Sequence, residues 1–97
     1  MTLAEYSHVA KQVVNMTDGL SRMTISRGLA FLEDLASCSC PYVPKVTAED
    51  GCLSFEWKKG DMVFTYVLKD EDPEWSLSKQ KVDITRLLLE FSSWEQS

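Results

Sequence analysis

Leu53-Ser54-Phe55-Glu56-Trp57-Lys58-Lys59-Gly60-Asp61-Met62-Val63-Phe64-Thr65-Tyr66 is the stretch that decides the fold. Leu53, Phe55 and Trp57 alternate with Ser54 and Glu56, which is the period of a half-buried strand. Lys59-Gly60 suits a two-residue turn, with Gly60 supplying positive φ. That turn pairs Lys58 with Asp61, Trp57 with Met62, Phe55 with Phe64 and Leu53 with Tyr66. Every large apolar residue of both strands then falls on one face. A slip of one residue destroys that agreement, so the register is well specified.

Upstream, Asp50-Gly51 predicts a second hairpin turn. It pairs Val46 with Phe55 and Ala48 with Leu53, and it sets Lys45 opposite Glu56 on the other face. Pro44 fits only an edge strand. The sheet is therefore a three-stranded meander in chain order, antiparallel throughout. Residues 2–18 read as a helix opened by the capping box Thr2 and Glu5, with Leu3, Tyr6, Ala10, Val13 and Val14 as its apolar stripe and Gly19 as its stop. A second helix is predicted from about Thr24 to Ser37, with Ile25, Leu29, Leu32, Leu35 and Ala36 on its apolar face; Cys40-Pro41 closes that region. Asp83 reads as the cap of a last helix, stapled by Val82 and Leu87 and buried through Ile84, Leu87, Leu88, Phe91 and Trp94. Residues 70–81 are left as the one long loop. The fold class is α+β, with two N-terminal helices, a three-stranded antiparallel β-meander and a C-terminal helix in a single domain, 1–97. The helices are expected to cover the face that bears Phe55, Trp57 and Phe64.

Composition narrows the function classes. The chain has 97 residues, 44% of them hydrophobic, which suits one globular domain. Its apolar runs are a few residues long, whereas a membrane span needs about 20. The first residues, Met1-Thr2-Leu3-Ala4-Glu5, lack the basic and apolar regions of a signal peptide. Cys38, Cys40 and Cys52 are odd in number and fit a reducing compartment. The expected location is therefore cytoplasmic. Cys38-Ser39-Cys40 lacks the spacing of a zinc knuckle, and His8, the one histidine, lies far from Cys52 in sequence. Asp70-Glu71-Asp72 carries oxygen ligands without the spaced glycine and final glutamate of a calcium loop. No nucleophile–base pair, P-loop or dinucleotide fingerprint is present. Neither a cofactor nor catalysis is expected.

Charge is more informative. The formal net charge is −5, from 15 acids and 10 bases. The first turn carries Glu49 and Asp50, and the third strand runs back toward it to exit through Asp70-Glu71-Asp72-Pro73-Glu74. Neighbouring strands lie about 4.8 Å apart, so turn and loop sit side by side. Six carboxylates gather there, with Lys69 as the nearby base and Trp75 as a candidate aromatic anchor. Lys58 and Lys59 lie at the opposite end. Such a patch suits a basic, nucleic-acid-binding partner rather than nucleic acid itself.

Two resemblances accompany this reading. Gly19-Leu20-Ser21-Arg22-Met23-Thr24-Ile25-Ser26-Arg27-Gly28-Leu29 resembles the turn and recognition helix of the lac repressor family, G-V-S-x-x-T-V-S-R-x-L. It is similar, too, to the recognition segment of winged helix-turn-helix regulators, with Phe31-Leu32-Glu33-Asp34-Leu35 continuing the helix. The resemblance implies major-groove binding by Ser21, Arg22, Thr24 and Arg27. The chain departs from the pattern at Asn15, where a small residue is expected, at acidic Glu33 and Asp34, and in a hairpin that carries Glu49 and Asp50 instead of a basic wing. In size, acidity and layout the whole chain resembles small phage-encoded inhibitors of the anti-CRISPR, DNA-mimic class. That resemblance implies a cytoplasmic inhibitor in the host cell, with a CRISPR surveillance complex as partner and Glu49, Asp50, Asp70, Glu71, Asp72, Glu74 and Trp75 as the binding surface.

Overall fold

The two hairpins differ in how closely they follow their turn residues. The structure, a computed structural model, describes residues 2–16, 19–38, 40–70 and 72–96. Strands β1 (Lys45–Glu49), β2 (Cys52–Lys59) and β3 (Met62–Lys69) form one antiparallel sheet in the order β1-β2-β3. Between β1 and β2 the expected register holds, with Val46 opposite Phe55, Ala48 opposite Leu53 and Lys45 opposite Glu56. Asp50 and Gly51 both have positive φ, 52° and 74°, as a type I′ turn requires.

Between β2 and β3 the register is two residues away from the expected one. Lys59 pairs with Met62, Trp57 with Phe64, Phe55 with Tyr66 and Leu53 with Leu68. The turn is Gly60-Asp61, not Lys59-Gly60. Gly60, at φ 60°, occupies the first central position, where a type II′ turn takes glycine. A shift of two preserves side-chain parity, so the buried face is the expected one. The shift also gives Leu68, 4% exposed, a partner in Leu53, where the expected register would set it against Gly51.

Helix α1 (Leu3–Asn15) opens on the expected capping box, Thr2 and Glu5 each bonding the other's backbone N–H at 3.2 and 2.8 Å. Its last residue is Asn15, with Met16 as an extended C-cap, and residues 17 and 18 of the expected helix lie outside the described residues. Its inward face is Val9 and Val13, flanked by Tyr6 and Met16, while Leu3 and Val14 of the expected stripe are 83% and 54% exposed. Helix α2 (Arg22–Ser37) buries Thr24, Gly28, Phe31, Leu32 and Leu35, a face rotated from the expected one. Gly28 is the reason. A Cβ there would stand 2.5 Å from Leu53 Cδ2, so the missing side chain lets α2 lie directly on β2. Phe31 then stacks on Tyr66 with ring centroids 4.4 Å apart and touches Phe55 at 5.0 Å.

Helix α3 (Leu77–Gln96) begins seven residues earlier than expected, since a cap at Asp83 would open it at Ile84. Ser76 is the cap, its Oγ accepting from the Lys79 N–H at 3.1 Å. The loop is correspondingly 70–76. Asp83 lies inside the helix and accepts from the Tyr66 hydroxyl at 3.1 Å, and Val82 of the expected staple is 51% exposed. The stripe of Ile84, Leu87, Phe91 and Trp94 is buried as expected, with Leu88 packed beside it. Phe91 meets Trp57 at 5.5 Å, so α2 and α3 together cover the aromatic face of the sheet. Gln80, 1% exposed, donates to Asp34 at 2.7 Å and ties the two helices together. No helix among the described residues is long and apolar enough to cross a membrane.

Candidate functional site: the acidic end of the sheet

The turn between β1 and β2 and the loop after β3 meet. The Asp70 N–H donates to the Gly51 carbonyl at 2.9 Å, extending the β2–β3 ladder one step into the turn. Glu49 and Asp50 are exposed on the turn; Glu74 is exposed on the loop, and Asp70 and Asp72 are half-buried. Glu71 lies outside the described residues. Five of the six predicted carboxylates are thus placed at one end of the sheet.

They are not equivalent. Asp70 caps α2. Its Oδ1 accepts from the Ser21 N–H at 2.8 Å and from the Thr24 hydroxyl at 2.6 Å. Since Thr24 has one hydroxyl proton and gives it to Asp70, the Ser21 hydroxyl donates to Thr24 across their 3.1 Å contact. The Ser21 Oγ also accepts from the Thr24 N–H at 3.2 Å, so Ser21 is itself the N-cap. The Thr24 hydroxyl and the Ser21 N–H hold the Asp70 carboxyl below the usual carboxylate range. The positive end of the α2 dipole favours the same ionised form.

Asp72 is drawn in differently. Its carbonyl accepts from Arg27 Nη1 at 3.0 Å, and its Oδ1 accepts from the Glu74 N–H at 2.9 Å, a local turn within the loop. The Arg27 guanidinium lies over the Trp75 ring, 4.7 Å from its centroid. Trp75 is half-buried and its indole nitrogen is enclosed, so one face of the expected anchor is already covered within the chain. Arg27 is a second base beside the patch, in addition to Lys69. Sequence order gave no sign of it, because 45 residues separate Arg27 from Asp72.

The helix-turn-helix residues are accounted for by the same contacts. Ser21, Thr24 and Arg27 hold the acidic loop, and Thr24 is fully buried. Arg22 is exposed. The serine, threonine and arginine that resemble a recognition helix are thus the residues that dock loop 70–76 on α2. The visible signal was Ser21 three positions before Thr24, an N-cap spacing.

Shallow clefts lie elsewhere among the described residues. One of about 340 Å³ lies between the start of α1 and the end of α2, lined by Thr2, Tyr6, Glu33 and Ser37. Another, of about 330 Å³, lies between α2 and α3 beside Asp34, Cys38, Lys81 and Leu88. Neither includes a carboxylate of the acidic end. His8 is exposed on α1, 3.3 Å from Gln12. Among the described residues, no three His, Cys, Asp or Glu side chains converge to hold a metal ion. Cys38 is exposed and Cys52 half-buried; burial pushes the Cys40 thiol up, and it donates to the Tyr42 carbonyl at 3.3 Å. No protein-family model matches the chain, and no match is found among curated proteins or solved structures.

Proposed function

We propose that this protein is a non-enzymatic protein-binding inhibitor that sets its acidic end against a basic nucleic-acid-binding surface, offering carboxylates where phosphates would lie. The observation that carries the reading is the Asp70–Gly51 hydrogen bond of 2.9 Å. It fixes carboxylates from two separate segments at one end of the sheet. Asp70 and Arg27 then anchor the loop to α2, so Glu49, Asp50 and Glu74 are presented without a further ordering cost on binding. Complementary charge of this kind speeds encounter and sets orientation. The phage-encoded inhibitors that the chain resembles in size and charge supply the partner class, a guide-loaded CRISPR surveillance complex in the host cytoplasm.

The reading as a DNA-binding regulator has less support, since three of its four candidate contacts, Ser21, Thr24 and Arg27, are engaged with the acidic loop. The test is competition for target duplex. Wild-type protein is expected to displace duplex DNA from a guide-loaded surveillance complex. The triple variant Glu49→Lys, Asp50→Lys and Glu74→Lys, which spares Asp70 and its cap, should lose at least about a hundredfold in apparent affinity. Equal competition by the two proteins, or none by either, overturns the proposal. A duplex gel shift that Arg22→Ala weakens would favour the regulator instead.

A further inference from the structure

The two edges of the sheet are defended unequally. Strand β1 is five residues long, follows buried Pro44 and begins with Lys45. Short length, proline and lysine are the usual means of keeping an edge from pairing with another chain. Strand β3 is eight residues long, Met62-Val63-Phe64-Thr65-Tyr66-Val67-Leu68-Lys69, with neither proline nor glycine and with its lysine at the far end. Among the described residues it pairs with β2 alone.

The turn geometry fixes which backbone groups face outward. A two-residue turn makes its flanking pair, Lys59 and Met62, a hydrogen-bonded pair, and the alternation continues through Trp57–Phe64, Phe55–Tyr66 and Leu53–Leu68. The N–H and C=O groups of Val63, Thr65, Val67 and Lys69 therefore point away from β2. The side chains of the same residues lie on the sheet face opposite the helices, where Val63 is 53% and Val67 46% exposed. Outward backbone and exposed apolar side chains thus belong to one set of residues.

That set is complementary to itself. We infer that this chain forms a two-fold homodimer in which β3 pairs antiparallel with β3 of a second copy, Thr65 opposite Thr65, Val63 opposite Val67 and Asp61 opposite Lys69. Thr65 meets its own copy on the axis, and every other pairing of this register occurs twice, giving valine pairs inside and Asp–Lys pairs at both ends of the ladder. A slide of two residues sets Val63 against Lys69 in one direction and Val67 against Asp61 in the other, so the neighbouring registers are disfavoured. The antiparallel arrangement also sets each acidic end beside the partner's Lys58-Lys59 turn instead of beside its acidic end, so opposite charges meet along the seam although each copy carries a net charge of −5. The two three-stranded sheets join into one. None of this depends on the inhibitor reading.

Sedimentation equilibrium over a wide concentration range tests it. The mass should rise from the monomer's 11.0 kDa toward twice that value. Thr65→Lys sets two like charges on the two-fold axis at an exposed position, and should leave a monomer with an unchanged circular dichroism spectrum. Asp61→Lys and Lys69→Asp should each weaken dimerisation about tenfold, and the two together should restore it to within about twofold. A monomer at every concentration, a dimer indifferent to Thr65→Lys, or a double reversal no better than the single ones overturns the inference.

Discussion

The meander has an acidic end and a basic end, and each is matched to a helix terminus of opposite sign. At the acidic end, Asp70 sits on the N-terminus of α2, accepting from the Ser21 N–H and the Thr24 hydroxyl. At the basic end, Lys59 Nζ donates to the Trp94 carbonyl at 3.1 Å, among the last carbonyls of α3, and stands 5.8 Å from the centroid of the Tyr42 ring. Both contacts satisfy backbone or dipole at a helix end. Part of the charge segregation is therefore structural. The difference is in what is left over. Once Lys59 is assigned, the basic end keeps Lys58, whereas the acidic end keeps Glu49, Asp50 and Glu74 exposed. The surplus, not the whole cluster, is the candidate surface.

The comparison breaks first at Thr24. Its hydroxyl is fully buried and links Asp70 to Ser21. Thr24→Val keeps the shape and removes the donor, so it should cost about 1 to 3 kcal/mol, measured by urea denaturation. Loop 70–76 should lose protection from amide exchange at the same time. A variant as stable as wild type would mean that the acidic end is not held by α2.

Why the sequence showed one end more clearly than the other follows from these contacts. Asp50-Gly51 has two residues suited to positive φ and allowed one register. Lys59-Gly60-Asp61 has one glycine that serves either position of a two-residue turn, and parity gave no way to choose between registers two apart. Large apolar residues alone mark faces of α1 and α2 that are rotated from the buried ones, although Val13, Leu32 and Leu35 belong to both. Gly28 and Thr24 mark the inward face of α2, one by allowing close approach and the other by a buried hydrogen bond. Neither has a hydropathic signal. The acidic cluster was legible because strand geometry alone brings the turn to the loop. Its division into anchored and free carboxylates was not, since it depends on contacts such as Thr24–Asp70 and Arg27–Asp72, more than 40 residues apart in the chain.

A smaller effect sharpens the acidic side. The folded protein holds the Asp70 pKa below its ordinary 3.8. The stabilising contribution is therefore complete above the unfolded-state pKa and is lost as pH falls through the lower folded-state value. Asp70→Asn retains the acceptor oxygen but not the charge. The stability gap between wild type and this variant should be constant from neutral pH down to about pH 5 and close progressively below about pH 4. A gap that stays the same at pH 3, followed by urea denaturation, would remove the charge of Asp70 from the account of α2.

The smallest effect lies at the basic end. Lys59 is exposed, so its contact with the end of α3 is open to solvent and to salt. Lys59→Met keeps the aliphatic stem against Tyr42 and deletes the donor and the charge. A cation at an exposed helix C-terminus contributes about 0.3 to 1 kcal/mol at low ionic strength. For a chain of this size that corresponds to a fall of about 1 to 8 °C in Tm. In about 1 M salt the Debye length shrinks to about 3 Å, comparable with the contact itself, so most of the difference should vanish. Lys58→Met, which removes the neighbouring charge without touching α3, should change Tm by less at either ionic strength. If the two lysines behave alike, the basic end is only a charged turn, and the matching of sheet ends to helix termini holds at Asp70 alone.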